Sequence, residues 1–153
     1  MRIAAVALLC TLVAVPAVPA ASQVRSGAAV KWGPGPAFLP TGARFAVLEG
    51  DPGASGVYTI RLRLPNGYVI KPHYHPTDEN VTVISGAFVV GMGDTVNWRG
   101  AQRLTAGGFI TAPKDVRHFA VARGVTVLQV HGQGPFEITY VKPADDPRNA
   151  QAK

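Results

Sequence analysis

The chain has 153 residues, the length of a single domain, and one cysteine, which excludes an intrachain disulfide. Its formal charge of +6 is spread over Arg61, Arg63, Lys71, Arg99, Arg103, Lys114, Arg117 and Arg123, with no block of five or six. Scattered charge of this kind reads as solvated surface and argues against a nucleic-acid partner.

Residues 1–20 form the first unit. Arg2 precedes an apolar run from Ile3 to Val15, which ends in Pro16-Ala-Val-Pro-Ala20. A positive start, an apolar centre and a small-residue end are the pattern of a secretory signal peptide. The expected cut follows Ala20, with Ser22 as the alternative site. The run is short for a membrane span, so no stable anchor is expected after cleavage. Cys10 lies inside this segment with Leu8 and Leu9 before it, which does not fit a lipidation signal. The mature protein is therefore expected in the periplasm or secreted, without cysteine.

Residues 21–43 are rich in Gly, Pro and Ala and cannot be helical with that proline load. They read as an arm, with Trp32 and Phe38 tucked against the domain or a second subunit. Residues 44–142 carry the pattern of short strands. Expected strands are 44–49, 58–64, 68–75, 80–84, 87–92, 103–104, 109–112, 118–122, 125–131 and 136–141. Turns are expected at Gly50-Asp-Pro-Gly, Pro65-Asn66-Gly67, Ser85-Gly86 and Gly124, with a polar excursion over 93–100 holding Trp98. Residues 143–153 read as a flexible polar tail. Strands of this length and spacing argue an all-β barrel or sandwich in one domain.

Within this pattern one stretch carries chemistry. His73 and His75 are two residues apart on an expected strand, so both point the same way. Glu79 follows four residues later, past Pro76, and can return to the same point. Two imidazoles and a carboxylate form a facial set suited to a divalent transition metal with positions left open. Each histidine could instead be a packed core residue, and Glu79 competes with Asp78, which misses the spacing. On the strand 125–131, Gln129 and His131 share a face with Val127. If that face lines the barrel, both become candidate pocket residues and His131 a proton partner for a bound water. Tyr68, Tyr74, Phe88, Met92 and Phe119 read as core and rim packing.

The spacing from Gly67 through His73, His75 and Glu79 to Gly86 is followed by Gly107, Pro113, Asp115 and His118. In these two ordered motifs the chain resembles the cupin superfamily over residues 44–140. The first motif matches at every fixed position. The second departs at Asp115, where the family usually has glycine, and at Ala122, where it often has asparagine; neither is a ligand position. The resemblance implies an all-β cupin jelly-roll barrel holding one metal through His73, His75, Glu79 and His118. Zinc, manganese, iron, nickel and copper all suit three imidazoles and a carboxylate.

Three functions follow as expectations. The first is a metal-dependent enzyme acting on a small organic molecule, as a dioxygenase, isomerase or hydrolase. The second is a module that binds or senses a metal or small ligand without turnover. The third is a barrel that works through a homodimer interface built on the Trp32 arm.

Overall fold

The computed structural model of the protein describes residues 26–150. The expected signal peptide lies outside them. Nine strands carry the fold among the described residues: β1 (Gly33–Pro34), β2 (Arg44–Glu49), β3 (Gly56–Leu64), β4 (Val69–Tyr74), β5 (Glu79–Met92), β6 (Gln102–Thr105), β7 (Phe109–Ala112), β8 (His118–Gly134) and β9 (Thr139–Tyr140). The longest helix among the described residues is α1, Pro147–Ala150. All pairings are antiparallel. The order is β1-β2-β3-β8-β4-β9, with β5 pairing β6, β7 and β8. The sheet curls into a jelly-roll barrel, as the sequence implies.

β5 and β8 are the frame. The first half of β5 pairs β7 and the second half of β8, which continues into β3. The second half of β5 pairs β6 and the first half of β8, which continues into β4. Both strands therefore belong to both faces of the barrel. They bend together where their register shifts, at Ser85-Gly86 on β5 and around Gly124 on β8. Ser85-Gly86 and Gly124 were expected to be turns that end strands. They are bulges inside strands instead, because the facing strand keeps pairing on either side of them.

The bend requires glycine. Gly86 has φ +80, and a Cβ there would sit 2.5 Å from the Val125 carbonyl oxygen. Thr126, fully buried, ties the corner: its hydroxyl donates to Ala87 O at 2.9 Å and accepts from the Ala87 N–H at 3.3 Å.

The core follows from period-two alternation. Tyr58, Ile60, Leu62 and Leu64 on β3 are buried, while Arg63 on the other face is exposed. Leu128 and Val130 on β8, Val81 and Val83 on β5, and Ile70 on β4 complete the interior. Burying each of these side chains contributes about 1.5–3 kcal/mol before entropy is counted. Residues of the arm join them: Leu39 is buried, Phe38 packs edge-on against Phe136 at 5.5 Å, and Tyr68 and Tyr140 donate to the Pro40 and Phe38 carbonyls. Trp32 is half-buried, and its carbonyl accepts from Arg44.

Two expected elements differ at the C-terminal end. The strand expected over 136–141 shrinks to β9, and Phe136 instead packs against Phe38 and His75 with its N–H donating to Pro52 O. The stretch read as a tail forms a 3-10 turn at Pro143–Asp145 and then α1, fastened by Arg148 to the Asp146 carboxylate and to Ile138 O.

Replacing Gly86 with alanine is expected to lower the unfolding free energy by about 3 kcal/mol, the sum of left-handed strain and displaced backbone. Gly124→Ala, where φ is +76 but nothing lies within 4 Å, should cost only ~1–2 kcal/mol. Denaturant melts of both variants measure the difference; equal losses would show that the Gly86 contact is unimportant.

Candidate metal centre

His73 lies on β4 directly opposite His118, the first residue of β8. Pro72 sits in the irregular stretch of β4 between Ile70 and His73, where its missing N–H costs no ladder bond. His75 follows just beyond β4. Glu79 opens β5 and pairs with Gly132 of β8 and Ala112 of β7. All four side chains are buried. Asp78 is exposed and turned away, its carboxylate accepting from the Lys114 N–H at 2.7 Å.

The three imidazoles meet. Each offers a nitrogen, and these nitrogens lie within 4.8 Å of one another. The ring centroids of His73 and His118 are 4.2 Å apart. Glu79 stands at the edge of the triad, with Oε2 3.3 Å from His75 Nε2 and 3.7 Å from His118 Nε2.

The other ring nitrogen of every histidine is committed. His73 Nδ1 lies 2.7 Å from Lys71 O, His75 Nδ1 2.7 Å from Glu137 O, and His118 Nδ1 3.0 Å from Val116 O. A carbonyl can only accept, so each Nδ1 carries the proton and each Nε2 is left with its lone pair. Fixing the outer nitrogen in this way is how proteins present imidazole to a metal. His75 is further held by stacking on Phe136 at 5.8 Å. The loop before His118 is pinned by the Asp115 N–H donating to His75 O at 2.9 Å. Asp115 adopts φ +61, the left-handed conformation that glycine takes most easily and aspartate tolerates.

The electrostatics leave one conflict. His75 Nε2 is buried and makes no hydrogen bond, although Glu79 Oε2 is 3.3 Å away. A lone pair facing a carboxylate in a buried site is repulsive unless a cation or proton lies between them. Burial pushes the His75 ring down, but the Glu79 carboxylate and the Glu137 carbonyl together raise the ring above its ordinary value. Burial raises Glu79 in turn, yet His75 and His118 hold it well below the usual carboxylate range. Burial, then His118 and His75, keep His73 well below its ordinary value and so neutral. A divalent cation among the three nitrogens would remove that repulsion, taking up the lone pairs and matching the carboxylate charge. The donor set therefore fits a transition metal on this structure's own geometry.

Beside His73 and His118 lies a small cavity. His73, Glu79 and His118 supply its polar wall; apolar side chains such as Ile70, Phe88, Val90, Leu128 and Ile138 supply the rest. Only about 30 Å³ of it is open to the centre of a water-sized sphere, room for two or so waters at ~10–15 Å³ each. Gln129 and His131 do not line it. Leu128 and Val130 take the inward face of β8, so the alternate residues face outward, where Gln129 accepts from Arg61 at 3.2 Å. No sequence signal marks the carbonyls of Lys71, Val116 and Glu137, which lend no side-chain atom, or the ring of Phe136.

His118→Ala and His73→Ala are each expected to weaken zinc binding by more than about a hundredfold, since even a lost outer partner costs ~10–100-fold. Isothermal titration reads this directly, and unchanged affinity in both variants would refute the triad. Asp115→Gly should raise stability by about 1 kcal/mol through relief of left-handed strain, seen as a shifted denaturation midpoint.

Several solved structures share this fold. The polyketide cyclase RemF from Streptomyces resistomycificus is 16% identical over 86% of this chain and 94% of its own, with a TM-score of 0.68. A putative acetylacetone dioxygenase from Methylibium petroleiphilum PM1 is 21% identical over 91% and 100%, with a TM-score of 0.65. KdgF from Halomonas sp. is 20% identical over 71% and 91%, with a TM-score of 0.54. At such identities the likeness speaks to the fold alone. A search of curated proteins finds no match. The model of the ChrR cupin-like domain matches residues 21–137, most of the chain. The protein belongs to that cupin family.

Proposed function

We propose that this chain is an exported metalloenzyme that acts on a small organic molecule at one divalent transition metal. Three histidine Nε2 atoms, each freed by an Nδ1 hydrogen bond to a carbonyl, are the observation that carries the reading. His73, His75 and His118 hold the ion, and Glu79 is the fourth ligand, closing the short gap to His75 and His118. One or two positions stay open for a substrate or water. The metal is iron, manganese, zinc, nickel or copper. Bound there, it supplies Lewis acidity and, when redox-active, electrons for oxygen chemistry. The apolar walls exclude bulk water and leave orientation of the substrate to shape.

Dioxygenase chemistry is the first reaction class to test, with metal-assisted isomerisation or hydrolysis beside it. Export to the periplasm or medium rests on the composition of residues 1–20. A homodimer through the Trp32 arm is the assembly in keeping with an aromatic held half-buried at the surface. A second reading has its own support: the cavity is so small that a module binding metal without turnover would need no more space.

Protein purified from its own compartment is expected to hold about one metal ion per chain and to begin at Ala21, by elemental analysis and intact mass. Chelation should lower its thermal midpoint by about 10 °C, the linkage expected near a hundredfold ligand excess. Turnover in an oxygen-uptake and substrate screen separates the enzyme from the binding module. No turnover with any of the five metals would leave only the second reading.

A further inference from the structure

A second hollow opens outside the buried cavity. Val90, Met92, Asn97, Gly100, Gln102 and Ile110 line it, and about 310 Å³ of it is open to the centre of a water-sized sphere. That is an order of magnitude more room than the cavity holds, and near the low end of the ~300–1,000 Å³ of small-molecule sites. Val90 and Ile110 line both spaces, so their side chains form the partition between them.

Strand register shows how the groove meets the histidines. Met92 pairs with His118, and Val90 pairs with Ala120 on one side and Gln102 on the other. Residues directly opposite one another share a face of the sheet. Met92 and Gln102 therefore stand on the same inward face as His118 and Ala120. His118 is buried, while Met92 is 50% exposed, so this face passes from interior to solvent across the Met92–His118 pair. The far wall is the excursion between β5 and β6. It is anchored by the Gly93 N–H donating to Arg117 O at 2.8 Å and by Trp98 packed edge-on against buried Phe119 at 5.0 Å.

The groove's chemistry is narrow. None of its lining residues is charged. Val90, Met92 and Ile110 give an apolar surface, and methionine adapts to irregular shapes. Asn97 Oδ1 already accepts from the Arg99 N–H at 3.1 Å, so its amide hydrogens are what it has left to offer. Gln102 can donate and accept.

We propose that this groove is the outer half of the substrate site. It takes the body of an uncharged small organic molecule that has an apolar face and a carbonyl or amide for Asn97 and Gln102. A short metal-chelating end passes between Val90 and Ile110 to the histidines. The inference rests on the metal-site reading above. It follows from size: the cavity has room for the chelating end and not for the body.

Met92 makes the test direct, because the only other methionine is Met1. With the methionine methyls labelled with carbon-13, benzohydroxamic acid is titrated into the zinc-loaded protein and benzamide into the metal-free protein. Both ligands are expected to move the Met92 methyl signal saturably. Gln102→Ala should weaken both by about fivefold, the worth of one hydrogen bond. Ile110→Phe should keep the zinc content but abolish the response of the histidine ring signals to benzohydroxamic acid. A Met92 signal that neither ligand moves would overturn the proposal. So would histidine rings that respond to benzohydroxamic acid while Met92 does not, since the ligand would then arrive by another way. A protein that binds no zinc yet still moves Met92 with benzamide refutes the metal reading and upholds the groove as a ligand site.

Discussion

The barrel depends on two strands bending at the same place. β5 and β8 are long enough to serve both faces, and neither can do so straight. Gly86 in the left-handed region lets the two backbones approach to a distance that no Cβ would permit, and the buried Thr126 hydroxyl satisfies both polar groups of Ala87 at the corner. From that corner the chain ends of both strands are set. Glu79 opens β5 and His118 opens β8, on opposite sides of the bend, and barrel curvature brings them together over β4. The site is thus a product of the corner as much as of the residues in it.

A second constraint is dielectric. His73 and His118 share their cavity with a single carboxylate, and the remaining lining is apolar. In that setting charge must be matched within a few ångströms. Glu79 and the imidazoles match one another imperfectly, with His75 Nε2 lacking a hydrogen bond, and that mismatch points to a cation more firmly than the convergence of histidines alone. Tyr58 feels the same field: burial, then the Glu79 carboxylate, push its phenol well up, so it stays protonated beside the site.

Much of this was legible in the residues. The spacing of His73, His75, Glu79 and His118 points to a shared site, and the period-two pattern of β3 appears as read. What failed was continuity. Gly86 and Gly124 look like the ends of strands, and nothing local distinguishes a turn glycine from a bulge glycine, since both need a positive φ. Reading Gly124 as a turn cut the count along β8. Counting in twos from His118 through an unbroken strand reaches Leu128 and Val130 on the inward face, and places Gln129 and His131 outside. The signal was present, but the alternation Val127-Leu128-Gln129-Val130-His131 looks amphipathic either way. Phe136 was misread for a different reason: its alternating neighbours resemble a strand, but its role is to stack beneath His75, which is a matter of tertiary placement.

The three carbonyls that orient the imidazoles belong to the main chain. Lys71, Val116 and Glu137 contribute no side-chain atom to these bonds, and the side chains of Lys71 and Glu137 are exposed. Evolution is therefore free to rewrite those positions without disturbing the tautomers, provided the backbone keeps its course. A comparison of related sequences would register the histidines and remain blind to what aims them. The same freedom means that the outer support of this site cannot be removed by any ordinary side-chain substitution, and its weight could be measured only by altering the peptide group itself.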